Sequence, residues 1–269
     1  MIQTIFNAAA ACIAECDPTQ KLHLSRETAM HWRSGALSLV DDENILPIGE
    51  PGRPSRPRLV SPRQLPKRGF NTTPGRAALI HAVAHIEFNA INLAWDAVYR
   101  FRDMPRDYYD DWVRVADEES YHFGILRARL HDLGYDYGDF SAHNGLWEMA
   151  RDTAHDVLVR MALVPRVLEA RGLDVTPGMI TRLRAVGDEE TVALLEIILR
   201  DEIGHVEIGS RWFHRLCEDR GLASEQVFHE LIGHYLKGRV KGPFHRNARL
   251  QAGFSESELT ALEQMERTA

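Results

Sequence analysis

Residues 112–126 read WVRVADEESYHFGIL, and residues 195–209 read LEIILRDEIGHVEIG. Each holds a Glu-x-x-His step, Glu119 to His122 and Glu202 to His205, among apolar residues at helical spacing. The positions three, four and seven residues from Glu119 are Trp112, Val115, Ala116, His122, Phe123 and Leu126. Those around Glu202 are Leu195, Ile198, Leu199, His205, Val206 and Gly209. Residues so spaced share one face of an α-helix. The face that such a helix buries therefore carries a carboxylate and an imidazole in both segments. An inward carboxylate is costly unless a cation or a metal offsets its lost hydration, and the i,i+3 step brings both side chains within reach of one ion.

Working outward, each segment is preceded by a helix with its own inward glutamate. Glu87 shares a face with Ile80, Val83, Ala84, Ala90, Ile91 and Ala94. Glu169 shares one with Ala162, Pro165 and Gly172, but also with Arg166 and Thr176, and is the least clean of the four. A Glu from each of two helices plus a Glu-x-x-His from each of two others is the ligand plan of dimetal carboxylate bundles. The candidate ligands are thus Glu87, Glu119, His122, Glu169, Glu202 and His205. Oxygen and imidazole donors without a thiolate suit iron or manganese. One such step alone is weak, since a chain with 13 His acquires one easily on its surface; two steps on apolar faces of separate helices are far more specific.

Neighbours of the ligands extend the reading. A ligand histidine normally donates its other N–H to a carboxylate or carbonyl. Asp201 is the expected acceptor for His122 and Glu118 for His205, the alternative for Glu118 being a solvated charge. Tyr121 is a candidate redox-active or hydrogen-bonding neighbour, against the plainer alternative of packing with a satisfied hydroxyl. Pro165 is predicted to remove a helix hydrogen bond and bend the third long helix, opening space for oxygen or substrate. His81, His85, His155, His229, His234 and His245 read as core or surface histidines.

No β-period alternation persists, so the class is all-α. Helices are expected over 2–15 and 25–40, the second opening with Ser25 as N-cap. Seven prolines between Pro47 and Pro74 then exclude a helix. That arm, 41–75, is expected to be pinned by Leu46, Ile48, Leu59, Val60, Leu65 and Phe70. Four long helices follow at about 74–102, 106–133, 146–171 and 188–220, the last three stopped by Gly134, Gly172 and Gly221. One short helix is expected between the third and fourth, another helix at 224–236, and then a tail. The expected organisation is 1–73 as N-terminal helices and Pro/Arg-rich arm, 74–221 as a ferritin-like four-helix bundle, and 222–269 as C-terminal helix and basic tail.

The 269 residues are 44% hydrophobic and 26% charged, ordinary for a soluble domain. No apolar run is expected to cross a bilayer, and the start, MIQTIFNAAAACIAECD, reads as an amphipathic helix, not a signal peptide. Cys12, Cys16 and Cys217 form no CxxC pair, which argues against a zinc site or disulfide framework and for a reducing cytoplasm. The net charge of −7 is unevenly spread. Residues 51–86 contain no acid but hold Arg53, Arg56, Arg58, Arg63, Lys67, Arg68 and Arg76. Residues 233–251, also acid-free, hold Lys237, Arg239, Lys241, Arg246 and Arg249. Either these mark a surface for an anionic partner or they pair with acidic faces.

The segments GRAALIHAVAHIEFNAINLAWDAVYRF, DWVRVADEESYHFGILRARL, LEARGLDVTP and LRDEIGHVEIGSRWF resemble a family of ferritin-like bacterial proteins, as do the arm and the tail GPFHRNARLQAGF. The resemblance implies a ferritin-like fold and a dinuclear metal site at the six residues named, and it fixes no substrate. More distantly, the ligand order is similar to that of the bacterial tRNA hydroxylase acting on prenylated adenosine and of cyanobacterial aldehyde-deformylating oxygenase. The Asp201-Glu202-x-x-His205 run also resembles the ribonucleotide reductase small subunit and bacterial multicomponent monooxygenases, from which this chain departs in having Glu118 and not Asp. The expected function is a di-iron or Mn/Fe oxidase or hydroxylase using molecular oxygen. Its substrate would be a small molecule or a modified RNA, with an electron-donor protein as partner, no membrane, and a monomer or homodimer in place of a cage. The alternatives are an iron-handling ferroxidase or storage protein, and a metal-stapled nucleic-acid-binding protein.

Overall fold

A computed structural model describes residues 4–40, 45–65, 69–238 and 240–268. Pro66, Lys67, Arg68 and Arg239 lie outside them. The described residues are helical with no strand, and two isolated β-bridges are the only extended pairing among them. The chain divides into two compact units, Met1–Arg151 and Asp152–Ala269.

The first unit holds α1 (Ile5–Ala14), α2 (Pro18–Arg33), α3 (Thr73–Arg100) and α4 (Arg106–Asp132), and α5 (Gly145–Asp152) closes it. The second predicted helix begins earlier than expected. Asp17 caps it by accepting the Gln20 N–H at 2.9 Å, and Pro18 occupies its first turn. Ser25 is not a cap: it lies buried inside α2 and accepts the Trp95 indole N–H at 2.9 Å. α3 is capped by Thr72 and packs along α4, with α1 against α3 and α2 against α4. α3 also corrects an expectation, because by length and composition it is apolar enough to span a bilayer. Its most apolar window is 89% buried within the protein, as in a core helix. Full burial of each large apolar side chain there, such as Phe88, Ile91 and Trp95, stabilises by about 1.5–3 kcal/mol.

The Pro-rich arm is pinned, and of the expected anchors Ile48, Val60, Leu65 and Phe70 are half-buried while two lie open. Leu46 is 67% exposed and Leu59 37%. Backbone hydrogen bonds hold it too: Gly52 N–H to Ile13 O at 2.8 Å, Val60 N–H to Ala142 O at 2.8 Å, and Ala142 N–H to Arg58 O at 3.0 Å. The Trp147 indole donates to Gly49 O at 2.9 Å. A chain that cannot form a ladder satisfies its backbone against neighbouring carbonyls.

The second unit holds α6 (Val157–Leu163), a π turn (Val164–Glu169), α7 (Ala170–Ala185), α8 (Glu189–Asp219), α9 (Ser224–Leu236), α10 (Arg246–Gln251) and α11 (Glu256–Thr268). The third long helix departs furthest from expectation. Asp156 breaks it by capping α6, accepting the Leu158 N–H at 2.8 Å. Gly172 does not stop it: α7 runs on through Pro177, because Leu173, Thr176, Ile180 and Leu183 bury one face, and tertiary burial overrides local propensity. Helix α8 ends at Gly221, φ +65°, as expected. The tail after α9 carries two further helices, α10 and α11, beyond the one C-terminal helix expected.

Candidate metal centre

In the first unit Glu87 comes from α3 and Glu119 and His122 from α4. They are 3%, 0% and 0% exposed. One ligand atom from each lies within 4.8 Å of the others. His122 Nδ1 stands 3.5 Å from Glu87 Oε2 and 3.5 Å from Glu119 Oε2. Burial alone would lower the His122 pKa, but the proximity and charge of Glu119 and Glu87 outweigh it and raise it to about 11. The imidazolium is therefore the cation that two sealed carboxylates share in the metal-free chain. A divalent ion would replace that proton with a stronger charge, so the donor set fits a metal.

In the second unit Glu202 and His205 lie on one face of α8, with Oε1 and Nδ1 3.7 Å apart. They are 8% and 1% exposed. Glu169, 8% exposed, is the last residue of the π turn, which packs against α8. The bend expected at Pro165 is thus a π turn, in which the Ala170 N–H reaches back to Pro165 O. Gly209 lies one turn beyond His205, and a Cβ there would collide with the Pro165 ring. Only glycine permits that approach. Sequence reasoning placed Gly209 on the Glu202 face without seeing this use for it.

The neighbours stand as follows. Asp201 is half-buried and takes the Arg200 guanidinium at 2.9 Å. Glu118 is half-buried. Tyr121 is 41% exposed, so its ring does not share the burial of His122 beside it. His81 and His85 are core residues tying α3 to the segment after α4. His81 Nε2 accepts the Gly138 N–H at 2.9 Å, and the His85 ring lies 2.8 Å from the Tyr137 hydroxyl and 3.0 Å from His143 O. Several basic residues are paired: Arg53 with Glu50 at 3.3 Å, Arg249 with Asp174 at 2.8 Å, and Arg246 with Glu263 at 2.6 Å and with Glu256. At these positions the charge answers internal acids.

The family described as "Protein of unknown function (DUF455)" matches residues 14–260 of this sequence. The chain belongs to that family. It is also similar to an "Uncharacterized protein" of Haemophilus influenzae (strain ATCC 51907 / DSM 11121 / KW20 / Rd), with 51% identity over 237 residues covering 86% of this chain and 81% of the relative. No solved structure matches. All six candidate ligands of this DUF455 chain fall within the matched residues, as do Pro165, Arg166 and Gly209.

Proposed function

We propose that Glu87, Glu119, His122, Glu169, Glu202 and His205 hold two iron ions, or one manganese and one iron, and that the chain is an oxygen-activating oxidase or hydroxylase with a ferritin-like bundle. The observation that carries this is the burial of two carboxylates and an imidazole, from two helices, with ligand atoms within 4.8 Å. A buried acidic pair is a poor stabilising device, so its presence in a core argues for a bound cation. The ligand order along the chain supports the second set, since it repeats the Glu and Glu-x-x-His plan of dimetal bundles.

Held by these six residues, two ferrous ions would supply the electrons for reducing molecular oxygen, which side chains cannot provide. The chain's own residues do the rest. Glu87 and Glu119 offer buried carboxylate oxygens, and His122 would give up a proton on becoming a ligand. Ile91 lies one helical turn beyond Glu87 and Phe123 one turn beyond Glu119, and both are fully buried, in keeping with a cluster shielded from water. Asp201 and Glu118 are proposed to orient ligands from just outside the two sets. The thiols of Cys12, Cys16 and Cys217 are free, in keeping with a reducing cytoplasm.

Anaerobic reconstitution with ferrous iron should load about two metals per chain by plasma mass spectrometry. Less than half an equivalent removes the site assignment. Loaded protein should then consume oxygen and migrate on a sizing column as a monomer or homodimer. A many-subunit cage would favour iron storage instead. Mass spectrometry of small molecules and RNA nucleosides from cells with and without the gene identifies the substrate.

A further inference from the structure

Arg166 sits inside the π turn and is fully buried. Its guanidinium carbon lies 4.7 Å from the ring centre of Phe213, 4.3 Å from Phe228 and 4.5 Å from Phe254. Its Nη2 donates to Glu258 Oε1 at 2.7 Å and its Nε to Ser210 Oγ at 3.2 Å. Glu258 is also buried, and its other oxygen accepts the Ser255 N–H at 2.9 Å, while Ser255 Oγ accepts the Glu258 N–H at 3.0 Å. This Ser-x-x-Glu exchange is the capping box that starts α11. One carboxylate therefore begins the C-terminal helix and neutralises the arginine of the π turn.

A π turn has poorer backbone geometry than the helix around it and persists only where its surroundings hold it. Here they hold it on two sides. The Pro165 ring fills the notch at Gly209. Arg166, the next residue, is clamped by α8 through Ser210 and Phe213, by α9 through Phe228, and by the C-terminal segment through Phe254 and Glu258. Glu169 closes the same turn three residues later, so the register of 164–169 sets the direction in which its carboxylate leaves the backbone. A buried arginine stacked on three rings and paired with one carboxylate is a rigid fixing point, because its planar fork admits few orientations.

We propose that Arg166, held by Glu258, is a positioning residue for Glu169: the pair keeps the π turn in register so that Glu169 meets its metal, and the C-terminal helix thereby belongs to the metal site. This rests on reading Glu169 as a ligand.

Two measurements on full-length Glu258→Gln and Arg166→Lys test it, with circular dichroism confirming helix content. In the metal-free protein, hydrogen exchange of peptides spanning 160–172 should quicken about tenfold or more while those of α3 and α4 stay unchanged. In a cobalt(II) titration, affinity for one of the two ions should fall about 10–100-fold, as for other outer partners of a ligand. The visible spectrum should shift towards that of Glu169→Gln. Combining Glu258→Gln with Glu169→Gln should then cost no more than Glu169→Gln alone, which a purely structural pair would not produce. Unchanged exchange over 160–172 overturns the clamp whether or not metal binds. Faster exchange with unchanged cobalt affinity and spectrum overturns its link to Glu169. If wild-type protein binds no cobalt, the metal reading falls, and with it the positioning role, whatever the exchange shows.

Discussion

The two sets of candidate ligands are built differently. Glu87, Glu119 and His122 project from α3 and α4, two uninterrupted helices that pack along each other, and their spacing needs nothing beyond regular helix geometry and an apolar stripe. In the second set Glu202 and His205 also come from a regular helix, α8, but Glu169 needs more. Glu169 is delivered by a π turn, that turn rests on the Pro165–Gly209 notch, and its Arg166 is neutralised by a glutamate 92 positions further along the chain. Regular helices can place ligands by periodicity alone, whereas an irregular turn places one only when remote residues define it.

Changes that delete a ligand from the regular set should act hardest. Glu119→Ala removes a fully buried carboxylate and should lower metal affinity more than about 100-fold, since a ligand outweighs the 10–100-fold typical of outer partners. Retention of two metals by this variant would remove α4 from the site. Titration tests the regular set as well. The His122 pKa in the folded metal-free chain, about 11, lies above its unfolded value. Its contribution to stability is therefore full below about pH 6.5 and fades as pH rises towards the folded value. Metal binding must displace that proton, so affinity should rise about tenfold per pH unit within the window. Calorimetry in buffers of different ionisation enthalpy counts the protons released, and zero would contradict the shared-imidazolium arrangement.

Smaller effects test the residues around the two sets. Asp201→Asn should reduce metal affinity or oxygen reactivity by about 10–100-fold without unfolding if Asp201 orients a ligand. If its only role is the surface pair with Arg200, neither changes. Gly209→Ala should destabilise by about 1–3 kcal/mol, the usual range for overpacking, because the added methyl meets the Pro165 ring. Urea unfolding checks this, and an unchanged midpoint would show that the notch is not tight. Arg246→Ala should leave metal content unchanged and cost little stability, since this half-buried residue only forms ion pairs with Glu256 and Glu263 near the surface. An altered salt dependence of substrate turnover in that variant would revive the idea of an electrostatic guide.

Much was legible from residues alone. Helical periodicity located α3, α4 and α8 to within a few residues, because long amphipathic stripes with Pro74 opening one and Gly134 or Gly221 after others leave few options. The same periodicity placed Glu87, Glu119, His122, Glu202 and His205 on inward faces, and the structure buries all five. What failed depended on partners distant in sequence. Ser25 looks like a cap but is claimed by Trp95, and Gly172 looks like a stop but is overridden by the buried face of α7. Leu46 and Leu59 of the arm looked like anchors, yet both are exposed, and backbone carbonyls of α1 and of the segment before α5 help to hold the arm.

The sequence by itself determined the helical class, the bounds of the long helices and which carboxylates face inward, because those follow from a 3.6-residue period read against polarity. Only the tertiary structure decided that Pro165 makes a π turn and not a kink, that Arg166 lies among three phenylalanine rings, and that the tail's Glu258 completes its charge. Each of those is a contact between positions whose separation along the chain carries no periodic signal, so no local pattern of residue types can announce it.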